Sequence, residues 1–163
     1  MAVSDAAGDA RPGGPDLTRV QLGLAPDGHL RAALTLTAPV RAKDLLSAHG
    51  QPGSICLRLW TTGTPGEAAA DRLVCITADP EGRHLRAAVL DEGPDGLPRR
   101  VGAASLARVS ERAIAVRFSQ SAVGRPDRVR FEGEATKPGC AGTSCVDTAP
   151  DAPATGLLVL RGP

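Results

Sequence analysis

The side chains of this chain that could do chemistry are four cysteines, three histidines and several aspartates. The cysteines are even in number and allow three complete pairings: Cys56, Cys75, Cys140 and Cys145. Eighteen residues separate the first two and four separate the last two, unlike the short paired knuckles of structural zinc sites. We therefore expect disulfides. Zinc bound by cysteine and histidine, or free thiols, are the alternatives.

The register of a predicted hairpin pairs two of these cysteines. Residues 54–62 and 71–78 have the pattern of strands, and the Gly/Pro-rich segment 63–66 between them is typical of a turn. With the turn centred between residues 65 and 66, Cys56 lies opposite Cys75, close enough for a cross-strand disulfide. The same register places apolar pairs on the other face: Ile55 with Ile76, and Leu57 with Val74. Cys140 and Cys145 then close a small loop of their own.

Three aspartates near the N-terminus could bind a metal. Asp5 and Asp9 lie four residues apart around a glycine, and Asp16 stands at the start of the first predicted strand. Carboxylate oxygens suit Ca²⁺, whose coordination shell is large and flexible. The alternative is a flexible polar leader, since chain termini are often poorly ordered. The loop from Asp91 to Asp95 is a weaker calcium candidate.

The sequence lacks the common catalytic and nucleotide-binding signatures, namely Gly-x-Ser-x-Gly, His-Glu-x-x-His and Gly-x-x-x-x-Gly-Lys. Ser54, His49 and Asp44 contain the residue types of a nucleophilic triad, but nothing in their spacing requires one. His29 and His84 stand beside turns, where a histidine is usually solvated. We therefore expect a protein that is not an enzyme.

One predicted strand carries alternating charges, and another carries the only Trp. Arg128 and Arg130 alternate with apolar residues, as do Glu132 and Glu134. This pattern predicts an ordinary solvated face, with an electrostatic partner surface as the alternative. Trp60 is expected to pack over the first disulfide, and a recognition role is its alternative.

Composition excludes several classes of function. The chain contains 19 basic and 18 acidic residues, so it lacks the basic excess typical of nucleic-acid-binding proteins. It has one Trp, two Phe and no Tyr, which leaves few aromatic rings for base stacking. Nucleic-acid binding is therefore not expected. No apolar run approaches the length of a membrane span. The first residues lack the charged and apolar regions of a signal peptide, yet two disulfides imply an oxidising compartment. We therefore expect an extracellular, periplasmic or cell-envelope location.

Period-two alternation of apolar residues predicts an all-β protein. Gly/Pro-rich turns separate eight or nine strands, and short helical turns are expected at 41–48 and 119–124. This pattern indicates a single antiparallel β-sandwich over residues 1–163, with a polar leader at 1–15 and a disulfide-closed loop region at 137–155. The predicted strands are 16–24, 29–37, 54–62, 71–78, 83–91, 99–109, 113–119, 127–135 and 157–160.

Three motifs carry a family resemblance: Asp5-x-x-Gly-Asp9 followed by Pro-Asp-Leu, Cys56-x-Arg-x-Trp60, and Cys140-x4-Cys145-Val-Asp147-x-Ala-Pro150-Asp151. The chain resembles a group of exported, largely uncharacterised β-sandwich proteins of GC-rich bacteria. More distantly, its leader and first hairpin resemble sandwiches of the family 9 carbohydrate-binding module and DOMON type. The family 9 resemblance implies calcium and a sugar held between aromatic rings, but this chain has one Trp and no Tyr. Haem binding of the DOMON type needs axial ligands, and Met1 is the only Met.

Together these features predict an exported, non-catalytic module that binds a protein, a cell-surface polymer or a small ligand through its loops. The alternatives are a carbohydrate-binding module or hydrolase accessory domain, an enzyme with an unrecognised site, and a purely structural envelope domain. Calcium is the only cofactor that the sequence suggests.

Overall fold

A computed structural model describes residues 1–63, 69–92, 97–151 and 153–160, apart from the side chain of residue 92. The chain is all-β, as its alternation predicts, and every strand pairing is antiparallel. The strands are β1 (Ala2–Ser4), β2 (Leu17–Leu24), β3 (His29–Leu36), β4 (Ser54–Trp60), β5 (Arg72–Ala78), β6 (Leu85–Glu92), β7 (Pro98–Ser110), β8 (Ala113–Ser119), β9 (Arg128–Thr136), β10 (Val146–Ala149) and β11 (Gly156–Val159).

The strands form one continuous path that bends at β7. The order is β1-β2-β3-β8-β7-β6-β5-β4-β9-β10, and β11 also pairs with β9. The C-terminal part of β7 pairs with β8 in what we call the first sheet, whereas its N-terminal part pairs with β6 in the second sheet. Because one long strand belongs to both sheets, the path folds back on itself into a nearly closed, sandwich-like barrel.

The core lies between the inward faces of the two sheets. Alternate residues of β2, β3 and β8 are fully or almost fully buried, and they face the buried residues of β4, β5 and β9. The two Phe of the chain, Phe118 and Phe131, are 1% and 0% exposed. A Cβ atom on Gly133 of β9 would lie 2.5 Å from a methyl group of Val20, so glycine permits the close approach of β9 to β2. The two ends of the strand path meet there.

Three short 3₁₀ helices connect strands, at Ala42–Leu45, Gln120–Val123 and Thr143–Cys145. The first two fall within the helical turns expected from the sequence. Among the described residues, no helix has the length and apolar character needed to span a membrane.

The sequence did not predict β1 or β10, which lie in the expected leader and disulfide-closed loop. Each has only three or four residues, too few for alternation to be visible in the sequence. The leader is therefore part of the first sheet, because Ala2, Val3 and Ser4 pair with β2.

Candidate functional site

The three aspartates predicted as metal ligands come together beside two others from the C-terminal part of the chain. One carboxylate oxygen from each of Asp5, Asp9 and Asp151 lies within 4.8 Å of the other two. Asp9, Asp16 and Asp147 form a second group with the same spacing. Two oxygens bound to one Ca²⁺ at about 2.4 Å lie at most about 5 Å apart, so this spacing fits calcium ligands. We call these five residues the aspartate cluster.

The aspartate cluster lies where the two ends of the strand path meet. Asp16 precedes β2, and its Oδ2 accepts a hydrogen bond of 2.8 Å from the backbone N–H of Gly8 in the leader. Asp147 lies on β10 and accepts a 2.7 Å hydrogen bond from the backbone N–H of Leu17 in β2. The cluster therefore links the leader, the first sheet and β10.

Two oxygens of the aspartate cluster are buried without a hydrogen-bond donor. Asp5 Oδ2 and Asp16 Oδ1 are inaccessible to solvent, and neither has a partner among the described residues. A buried carboxylate oxygen without a donor is costly, because it has lost its water and gained nothing in return. No Lys or Arg of the described chain forms an ion pair with any of the five carboxylates.

Burial and mutual repulsion also act on the acidity of the cluster. Burial raises the pKa of Asp147 from 3.8 to about 6, the Leu17 N–H partly opposes this, and the charges of Asp9, Asp16 and Asp5 raise it further. Burial likewise raises the pKa of Asp5, and nearby Asp151 adds to the rise. A cation would favour the ionised forms of Asp147 and Asp5.

Both disulfides have the predicted pairing. Cys56 bonds to Cys75 across β4 and β5 with a Cα–Cα distance of 4.1 Å, and Cys140 bonds to Cys145 at 5.7 Å. The hairpin register is also the predicted one, because residues 55, 56 and 57 pair with 76, 75 and 74. The predicted centre of the turn, between residues 65 and 66, lies outside the described residues. Cys145 directly precedes β10, so the second disulfide anchors the strand that carries Asp147.

The charged face of β9 is less solvated than the sequence predicts. Glu132 is 5% exposed, and its Oε1 accepts a 2.9 Å hydrogen bond from Arg58 Nη1 on the neighbouring β4. The same nitrogen lies 3.4 Å from Glu134 Oε2. Burial raises the pKa of Glu132, and the Arg58 charge opposes that rise. Cross-strand pairing thus buries a carboxylate beside its own counterion, which alternation within β9 alone does not reveal.

Trp60 is 3% exposed, so its ring is not available to a ligand on the surface. The Arg58 guanidinium lies over the ring, 5.0 Å from its centroid, and Arg58 stands between Cys56 and Trp60 on one face of β4. This arrangement is a cation–π contact on the outside of the second sheet.

The residues of the conceivable triad are not joined to one another. Asp44 accepts hydrogen bonds from the backbone N–H and the side chain of Arg41, and the backbone N–H of His49 donates to Ser47. Within the described ranges, no hydrogen bond joins Ser54, His49 and Asp44 to one another.

The other two histidines lie beside turns, as expected. The backbone N–H of His84 donates to Asp79, and His29 Nδ1 lies 3.2 Å from Asp27 Oδ1. Most of the weaker calcium candidate, the loop from Asp91 to Asp95, lies outside the described residues.

Two ligand candidates, Asp147 and Asp151, were not assigned from the sequence. Both follow the second disulfide closely, in a segment that is remote in sequence from the leader. Their only sequence signal is their place in the Cys140–Asp151 motif, which says nothing of a partner 130 residues away.

No protein-family profile matches the chain, and neither a curated protein nor a solved structure matches it. The resemblance to exported β-sandwich proteins and to family 9 or DOMON sandwiches therefore remains a prediction from the sequence.

Proposed function

We propose that this protein is an exported, non-catalytic binding module in which Ca²⁺ fixes the N-terminal segment to the sandwich. The observation that carries the calcium site is the aspartate cluster with its two buried oxygens that lack a donor. A cation bound by Asp5, Asp9 and Asp151, or by Asp9, Asp16 and Asp147, would reduce the repulsion within that group and compensate the buried carboxylate that it contains.

The chemistry of the cluster favours calcium over other cations. All the candidate ligands are carboxylate oxygens, the ligand type that hard cations such as Ca²⁺ prefer. Zinc sites, in contrast, typically contain nitrogen and sulfur ligands. Mg²⁺ requires a small octahedral shell and keeps several waters, whereas Ca²⁺ accepts six to eight oxygens at variable angles. Carboxylates from three separate segments suit the more flexible ion.

Calcium would act here as a structural cross-link. Asp5 and Asp9 belong to the leader, Asp16 to the start of β2, and Asp147 and Asp151 to β10 and the residues after it. A cation shared by these segments would hold β1 on the first sheet and close the gap between the two ends of the strand path.

Export and a binding role are supported by other features. Two disulfides suit an oxidising extracellular or periplasmic compartment. Asp44 caps the first 3₁₀ helix, Ser54 begins β4, and no hydrogen bond joins either residue to His49 in the described chain, which favours binding over catalysis. The buried position of Trp60 disfavours the alternative of sugar held between aromatic rings, since this is the only Trp of the chain.

A calcium titration followed by thermal unfolding tests the proposal. If Ca²⁺ binds the folded state only, a concentration 100-fold above its dissociation constant should stabilise the fold by about 2.7 kcal/mol and raise Tm. Mg²⁺ at the same concentration should have a smaller effect. A double variant, Asp9→Asn with Asp16→Asn, should lose the response, and Asp44→Asn, an exposed carboxylate outside the cluster, should retain it. An unchanged Tm of the wild-type protein from chelator to millimolar Ca²⁺ would refute the calcium site.

A further inference from the structure

A row of mostly small side chains lies on the outer face of the first sheet. One row crosses five strands in register and consists of Ala2, Gln21, Ala33, Ala115 and Ala107. Neighbouring strands lie about 4.8 Å apart, so this row is about 19 Å long. We call it the alanine row. Ala115 within the row is only 2% exposed, so the surface that a ligand could contact comes mainly from the longer side chains beside the row.

Arginines flank the alanine row on both sides. Arg19 lies two residues before Gln21 on β2, on one side of the row. Arg31 on β3 and Arg117 on β8 lie on the other side, where they are directly opposite each other in the strand register. Among the described strand residues that share this outer face, none is acidic. The face therefore carries a local positive charge although the whole chain is almost neutral.

The facing arginines are only partly neutralised. Like charges directly opposite each other on neighbouring strands destabilise a sheet. Arg117 pairs with Asp27 in the β2–β3 turn, and its guanidinium lies 3.2 Å from His29 Nδ1. The side chain of Arg31 forms no ion pair or hydrogen bond within the described part of the chain, and Arg31 is exposed. An anion bound beside Arg31 would relieve the repulsion.

Two shallow hollows lie on this face, one on each side of the facing arginines. One, of about 510 Å³, is lined by Arg117, Ser105 and Ser119 among others. The other, of about 460 Å³, is lined by Arg31, Ala33 and Gln21 among others. Both are wide open, which suits an extended ligand lying across the strands rather than an enclosed small molecule.

We infer that this face binds a linear acidic polysaccharide, whose carboxylate or sulfate groups pair with Arg31, Arg117 and Arg19. The planar guanidinium binds such oxyanions through two parallel hydrogen bonds. Gln21, on β2 next to Arg19, and Ser105, opposite Arg117 on β7, offer hydrogen bonds to sugar hydroxyl groups. This inference depends on the binding role proposed above, and it does not depend on calcium.

Other polymers fit the face less well. Peptides commonly bind sheets by adding a strand to an edge, but β2, β3 and β8 are each paired on both sides. Single-stranded nucleic acids need aromatic rings for stacking, and the outward-facing residues on the described strands of the first sheet include none. A second copy of the chain would bring arginines against arginines.

The test is binding of the full chain to polymers in a buffer that contains a chelator, so that calcium plays no part. Dextran sulfate and polygalacturonate carry the sulfate and carboxylate groups respectively, dextran is the neutral control, and polyglutamate is the acidic peptide. We expect both acidic polysaccharides to bind and dextran not to bind, with affinity falling as salt rises. The polysaccharide that binds more tightly will show whether the face prefers sulfate or carboxylate groups.

Variants assign the binding to this face. Arg31→Gln and, independently, Arg19→Gln should each weaken binding on the order of 10-fold, since each removes a charge-assisted contact. Arg128→Gln removes an exposed strand arginine from the second sheet and should leave the affinity unchanged. Equal losses in all three variants, no binding of either polysaccharide, or tighter binding of polyglutamate would overturn the inference. None of these results would alter the calcium response, which tests the aspartate cluster separately.

Discussion

Glu132 on β9 and Asp147 on β10 are both nearly buried carboxylates, 5% and 9% exposed, but their neighbours differ. Glu132 lies 2.9 Å from the guanidinium of Arg58. Asp147 has one backbone N–H donor, from Leu17, and its charged neighbours are Asp9, Asp16 and Asp5. One site contains its counterion within the chain, and the charges with the largest effect on the other site have the same sign as Asp147.

This difference is the reason that we propose an external cation beside Asp147 and none beside Glu132. A carboxylate that leaves water loses several kcal/mol of solvation, which a nearby cation can restore. At Glu132 the chain supplies that cation from the adjacent strand. At Asp147 the described chain supplies none, and two oxygens nearby have no donor at all. The buried carboxylate of β9 thus has a counterion in the chain, whereas the carboxylates where β10 meets the leader form no ion pair in the described chain.

The largest effect is expected from removing the internal counterion. Arg58→Met should lower the free energy of unfolding by about 3 kcal/mol, because Glu132 would remain buried and unpaired. Urea unfolding measures the change. Adding Glu132→Gln should recover much of the loss, and no recovery would mean that Arg58 acts through its packing on Trp60 instead.

The next largest effect is expected in the pH dependence of stability, which should distinguish the Asp147 site from the Glu132 site. With chelator present, the raised pKa of Asp147 makes its ionisation unfavourable in the folded state. Its contribution to the free energy of unfolding should therefore fall as pH rises from about 4 to about 6, by at most about 3 kcal/mol, and level off above. The difference in urea unfolding between wild type and Asp147→Asn isolates this contribution. Saturating Ca²⁺ should abolish the fall, and a fall that persists unchanged with Ca²⁺ would separate Asp147 from the metal site.

A smaller effect is expected from the disulfide beside the aspartate cluster. Replacing Cys140 and Cys145 by Ser should cost about 2 kcal/mol, since the bridge closes a short loop, against about 3 kcal/mol for Cys56 and Cys75 replaced by Ala. The variant without Cys140 and Cys145 should also bind calcium more weakly, as measured by isothermal titration calorimetry, because that disulfide anchors β10. The variant without Cys56 and Cys75 is the control. Equal calcium affinity in both variants would argue against this anchoring.

The smallest effect is expected at Glu134, which lies 3.4 Å from the same arginine but is more exposed than Glu132. Glu134→Gln removes both an attraction to Arg58 and a repulsion of Glu132, so stability should change by less than about 1 kcal/mol. A thermal melt is sufficient to measure it. A loss as large as that of Arg58→Met would show that the arginine depends on both carboxylates.

The hairpin of β4 and β5 shows how far local sequence information reaches. Two runs of alternating residues and one turn-rich segment predict its register and the Cys56–Cys75 disulfide, because hairpin pairing depends on neighbours in sequence. The aspartate cluster was predictable only in part. Asp5, Asp9 and Asp16 are near one another in sequence, but the position of Asp147 beside them depends on how the two ends of the strand path meet.

By itself, the sequence determined the all-β class, most of the strands, both disulfides and three of the five clustered aspartates. These features depend on side-chain alternation and on residues that are close along the chain. Tertiary structure alone decided that β10 meets β2, that Arg58 buries Glu132, and that Arg31 faces Arg117. Each of these contacts joins strands distant in sequence, and their alignment is set by packing of the two inner faces, which no local pattern encodes.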